Sequence, residues 1–382
     1  MSDLTKAIPG LEAFLEGDVN IETNVEVPTA DEVAEAAVQA DVDATEEAEV
    51  AAEGAEVVAE TEETATQAEM IAAQFDEMFA MREHIAKFGV DRSFLSLCNR
   101  GNVLGKALGI EMPACESFDA VGSPTSALSQ ACMEAFSLSG MWESVKKFVK
   151  KIWERIVELF NRCVLWVKTV FRSQKAKFEK IQELRKDRVM KTAEEAGDRE
   201  VEVAGGFAPS FVAELDKQID GFVKLFNLDN LDRETFEMAD GEFKNIERQV
   251  KAAFAATTTV TITEAEAKMK QLVTFVADAV KSDKTPVEQA KEAAKARGKK
   301  ADAAIKVAED KLKKADEAGK EAAKEELKKV KEAAKYSSKA ANRLVTTANW
   351  EMKMIALRIR DLGRLTLAFM KKPGETTKKE AK

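Results

Sequence analysis

The chain has 382 residues, 45% hydrophobic and 33% charged, long enough for two or three domains, but only 18 Gly and 7 Pro argue against turn-rich architectures. Ala, Glu and Lys dominate, which predicts long helices, and a single histidine beside four cysteines with no C-x-x-C pair excludes the usual zinc-site patterns. The net charge of −10 is unevenly divided: residues 1–67 hold 19 acidic side chains and one lysine, Lys6, whereas the remainder is basic by +8.

The acidic leader, 1–67, buries little apolar surface and repels itself, so disorder is expected there. It has neither a basic n-region nor an apolar h-region, so no signal peptide is expected. A small helical unit follows over 68–112. Its first helix, 68–88, carries Met70, Ile71, Phe75, Met78, Phe79, Ile85 and Phe88 on one side and stops at Gly89. Its second is broken by Gly101 and Gly105. Residues 113–140 read as a Ser/Pro/Gly linker.

Residues 141–256 supply the amphipathic helices of the main bundle. In 141–172 three of the four tryptophans fall on one face: Trp142, Phe148, Trp153, Phe160, Trp166 and Phe171, interleaved with Val145, Ile152, Ile156, Cys163 and Val167. Lys146, Lys147, Lys150, Lys151, Arg155 and Arg162 occupy the other face. The pattern continues toward Lys191, and 141–191 carries 15 basic and 6 acidic residues. Such a helix fits a lipid interface or the seam of a bundle, and the apolar faces downstream favour the bundle. No run of 18 apolar residues exists, so no membrane span is expected.

A helical hairpin is expected over 210–256. A short strand-like clip and a helix follow over 257–284, where 257–263 alternates and 200–203 could pair with it. Thr263 and Glu266 have capping-box spacing. Thr285-Pro286-Val287-Glu288 is a clearer helix start, opening 285–371. There a sparse Ala/Lys/Glu helix, akin to a coiled coil, precedes a separate C-terminal amphipathic helix over 344–370. A basic tail, 372–382, ends the chain. The fold class is therefore all-α: an elongated multi-helix bundle with long Ala/Lys/Glu helices behind a disordered acidic leader.

Chemistry is sparse. Gly101 to Ala107 imitates a phosphate loop, but three residues separate the glycines instead of four, and Ala107 stands where a hydroxyl must meet magnesium. His84 has no nucleophile or second base near it in sequence, and Ser123 and Ser126 have no histidine in a usable frame. No catalytic, cofactor-binding or metal-binding set is found, so a non-enzymatic role without cofactors is expected. The basic stretch implies salt-sensitive, sequence-independent phosphate affinity without a groove-reading module.

Four segments, 81–97 (MREHIAKFGVDRSFLSL), 108–117 (LGIEMPACES), 121–130 (VGSPTSALSQ) and the Trp/Phe/Lys helix after them, resemble the virion structural and internal head proteins of very large tailed bacteriophages. The resemblance covers 81 to about 171. It implies synthesis in the host cytoplasm, packaging in the capsid interior, contact with other head proteins, self-association as a homo-oligomer, and trimming by a maturation protease that makes the leader a propeptide. That protease cuts after a glutamate with a small residue two positions before it, a pattern matched by Ala114, Cys115 and Glu116, with Ser117 following. Such a cut would turn a precursor of net −10 into a 117–382 product of net +10. On this reading the leader keeps the basic body off DNA until it is removed. The rival expectation is a membrane-active protein, ejected or toxin-like, whose 141–172 helix meets a lipid surface.

Overall fold

The computed structural model describes nearly all of residues 138–371 and a large share of positions in 56–98. Seven helices and two strands have defined bounds in the described body: α1 (Leu138–Lys186), α2 (Ala193–Ala196), β1 (Val201–Ala204), α3 (Phe211–Asn227), α4 (Arg233–Ala255), β2 (Thr257–Val260), α5 (Ile262–Lys281), α6 (Thr285–Lys314) and α7 (Glu317–Phe369). The described residues thus form an all-α bundle of long helices with one two-stranded clip. Helix α7, with 53 residues, is roughly 80 Å long. It is the hub, packing against α1, α3, α4, α5, α6 and β1.

Helix α1 forms because its apolar residues recur at helical spacing over 49 residues, and that stripe is the bundle's main seam. Trp142, Val145, Phe148, Ile152, Trp153, Ile156, Phe160, Cys163, Trp166 and Val167 are all buried in one core cluster. The helix ends at Lys186, short of the expected Lys191. The chain then runs beside the end of α7: Lys191 N–H donates to Phe369 O at 2.9 Å, and Lys371 N–H to Val189 O at 2.9 Å. Those bonds satisfy main-chain groups a longer α1 could not have reached. Thr192 and Glu195 then cap α2 reciprocally.

The expected clip exists. Strands β1 and β2 are antiparallel, with Val201 opposite Val260 and Ala204 opposite Thr257. Just beyond β1, a Cβ on Gly206 would lie 2.5 Å from the Ala253 Cα, so only glycine lets the chain cross α4 this closely. Two local expectations shift. Helix α5 begins at Ile262, and the capping carboxylate is Glu264, which accepts from Thr261 N–H at 3.4 Å, two residues before the expected Thr263/Glu266 pair. The long C-terminal helix is also not divided near 336–343. Ser337, Ser338, Ala340, Ala341 and Asn342 are buried there, and packing on all sides carries α7 through a stretch of modest intrinsic propensity.

Every described residue of 64–88 is helical, and this segment forms an arm on the body. Met78 and Ile85 are buried as expected and Met81 joins them, whereas Phe88 is exposed. The leader expected over 1–67 is described only from Glu56 onward, with helical positions at 56, 58–59 and 64–66.

Candidate functional site

The six aromatic residues of the predicted partner or lipid face turn inward. Trp142, Phe148, Trp153, Phe160 and Trp166 are buried and Phe171 is half-buried against the same core. Phe160 meets Phe226 of α3 edge-on at 5.4 Å between centroids. Trp153 faces α6, where a Cβ on Gly298 would lie 3.3 Å from the Trp153 Cβ. One feature is unusual for a core: the indole N–H groups of Trp142, Trp153 and Trp166 are buried without a hydrogen-bond acceptor.

The predicted basic face points outward and is partly neutralised. Lys146 pairs with Glu309 of α6 at 3.3 Å and with Glu143 at 3.7 Å, Lys150 with Glu154 at 3.8 Å, and Arg155 with Glu158 at 2.7 Å. Arg162 reaches Glu56 at 3.3 Å. Lys147 and Lys151 are exposed.

A second constellation is a ladder between the arm and α7. Glu69 pairs with Lys339 at 3.1 Å and Lys335 at 3.6 Å, Asp76 with Lys331, and Glu83 with Lys324. The carboxylates recur every seven residues while the lysines descend in number, so arm and helix run antiparallel with two-turn spacing. Burial pushes the Glu69 carboxyl up, and Lys339 and Lys335 together outweigh it, holding it below its ordinary value. Its share of the arm contact is therefore present at neutral pH and is lost only as the pH falls through the lowered value. Beside Glu69 a cleft of about 600 Å³ opens between α4 and α7, with Arg233, Lys244, Lys335, Lys339 and Tyr336 among its walls.

A third constellation ties the clip to the hub. Both main-chain polar groups of Ala204 are taken by α7: its N–H donates to Asp361 Oδ2 at 2.9 Å, and its carbonyl accepts from Arg358 Nη1 at 2.5 Å. The two side chains serve the strand as a neighbouring strand would. Arg358 and Asp361 lie 3.8 Å apart and are 3% and 0% exposed. Burial pushes the Asp361 carboxyl up against Arg360, the Ala204 N–H and Arg358, and it pushes the Arg358 guanidinium down against Asp361.

Ala114, Cys115, Glu116 and Ser117 lie outside the described residues, as do Gly101 to Ala107, Ser123, Ser126 and the tail 372–382. Cys163 is buried, and burial pushes its thiol up to about 12, far from reactivity at neutral pH. Among the described residues no group of His, Cys, Asp and Glu could hold a metal ion, and no helix is long and apolar enough to cross a membrane. Periodicity found the tryptophan seam. The ladder and the Arg358–Asp361 pair were missed, although the seven-residue spacing of Glu69, Asp76 and Glu83 was a signal for the first.

These features define an all-α bundle with a basic hub helix and an acidic arm laid on it. Comparison with family models, curated proteins and solved structures finds no match to any of them.

Proposed function

We propose that the protein is a non-enzymatic structural component of a large phage head, packaged in the capsid interior, matured by proteolysis between arm and body, and lying against the packaged genome. One observation supports this most: an acidic arm, joined to the body through the segment holding Glu116, places carboxylates on basic side chains of α7 and α1. Cleavage after Glu116 would separate a neutralising cover from a basic bundle. The partners on this reading are other head proteins, a second copy of the chain, the maturation protease, and DNA bound without sequence preference.

Mass spectrometry of purified particles tests it. Abundant peptides beginning at Ser117, with spanning peptides depleted, are expected. Spanning peptides in full amount would sink the maturation step.

A second reading keeps the lipid surface as partner, because the three buried indole N–H groups lack acceptors and a membrane interface would supply them. Co-sedimentation of the full chain with anionic vesicles decides between the two. No partition is expected if the tryptophans serve the bundle, whereas strong partition weakened by Trp153→Phe would favour lipid. A Trp153→Glu variant is unsuitable, since it places a charge in the core seam.

A further inference from the structure

We propose that the lysine row of α7, Lys324, Lys331, Lys335 and Lys339, is a docking surface for the phosphate backbone of duplex DNA, occupied here by the arm as an internal phosphate mimic. This deepens the reading above and rests on it. The present occupant is the first support: carboxylates at seven-residue intervals, about 10 Å apart along a helix, meet the lysines in register.

The second support is an asymmetry of burial. In the Lys331–Asp76 pair the lysine side chain is 5% exposed and the aspartate 70%. Glu69 and Glu83 are each 50% exposed, while Lys335, Lys339 and Lys324 lie between 23% and 28%. With the arm in place the lysines form the inner layer of the contact and the acids the outer one. Lysine is a long side chain whose stem can lie along apolar surface while the charge meets its partner. A cationic row positioned in this way loses little freedom when its counter-charge is exchanged.

The third support is the surrounding field. Residues 320–343 of α7 carry eight basic and four acidic side chains, and Arg233 and Lys244 add to the cleft that receives Glu69. That cleft is lined as well by Glu237, paired with Arg233 at 2.7 Å, and by Asp240, paired with Lys244 and Arg343, so Lys335 and Lys339 are the cations that meet Glu69 there. The covalent link keeps the arm at high local concentration; once it is cut, the arm leaves on dilution and phosphates replace it.

Fluorescence anisotropy of a labelled 30-base-pair duplex against the full chain tests this across a salt series. The triple substitution Glu69→Gln, Asp76→Asn, Glu83→Gln is expected to lower hydrogen-exchange protection of 64–88 and to tighten DNA binding by about tenfold at low salt. Its dependence on salt should steepen by about 0.9 in the logarithmic slope for each phosphate newly contacted. Adding Lys324→Gln, Lys335→Gln and Lys339→Gln to that variant should return the DNA affinity and the salt slope to the parent's. Unchanged DNA affinity in the arm variant, a gain that survives loss of the lysines, or an equal gain on anionic vesicles would each overturn the proposal. Particle peptides decide the maturation step separately, so the two readings fail on different measurements.

Discussion

Asp361→Ala is expected to destabilise the bundle by about 3–5 kcal/mol, because removing one member of a buried ion pair strands the other charge away from water. In a bundle of this size that is a fall of roughly 10 °C in Tm, read by thermal circular dichroism at pH 7. The carboxylate has no exposed surface, accepts from Ala204 N–H and lies 3.0 Å from Arg360 Nη2, while Arg358 beside it is itself buried. Deleting it frees a strand N–H and removes the negative charge 3.8 Å from the buried Arg358 guanidinium. Asp361→Asn, which keeps an acceptor for Ala204, should lose less. Arg360→Ala should lose less than Asp361→Ala, because its side chain keeps 20% exposure and the carboxylate retains Arg358 and the Ala204 N–H.

The pH dependence has a definite direction. Burial holds the folded Asp361 above its ordinary value, so the fold favours the protonated form. Its contribution is greatest at low pH and falls as the pH rises through that raised value. The deficit of Asp361→Ala should therefore be no smaller at pH 5 than at pH 7. Asp240 has the opposite sign: burial pushes it up, but Lys244 and Arg343 together hold it down, so its contribution is present above the ordinary carboxylate value and lost on acidification. A deficit for Asp361→Ala that shrank between pH 7 and pH 5 would contradict a carboxyl held above its ordinary value in the fold.

Trp153→Ala carries the second large effect, about 3–5 kcal/mol, from lost burial and the cavity left between α1 and α6. The side chain is 5% exposed, and α6 approaches it so closely that glycine stands opposite. Trp153→Phe should cost less than about 2 kcal/mol, since it keeps an aromatic ring and removes a buried N–H that has no acceptor. Chemical denaturation of the two variants measures the contrast. If alanine were tolerated as well as phenylalanine, the tryptophan face would not be the seam that holds the bundle, and the lipid reading would gain.

How much of this was legible in the sequence varies by element. Helix α1 was legible because its apolar residues keep helical period for 30 residues and more, a local signal that needs no partner to be read. The clip was legible from β-branched alternation at 257–260 against 201–203. The unbroken α7 was not, because Ser337, Ser338 and Asn342 look like loop residues until neighbours enclose them. Nor was the cap at Thr261 and Glu264, which competes with an equally good spacing two residues later. The Arg358–Asp361 pair sits among ordinary helix-surface charges in sequence; a strand brought from more than 150 residues away buries it.

By itself, then, the sequence determined the helical class, the strong seam of α1 and the opposition of an acidic leader to a basic body. Each is a property of composition or short period, carried by neighbours along the chain. Only the tertiary structure decided which surface faces which: that the tryptophans meet other helices, and that Glu69, Asp76 and Glu83 lie on the lysines of α7. The seven-residue spacing of the acids is local, but nothing local says which lysines, 241 to 270 residues away, they will meet. Their meeting depends on how the whole bundle buries its apolar faces, since hydrophobic burial sets the packing and the ion pairs form where it places them.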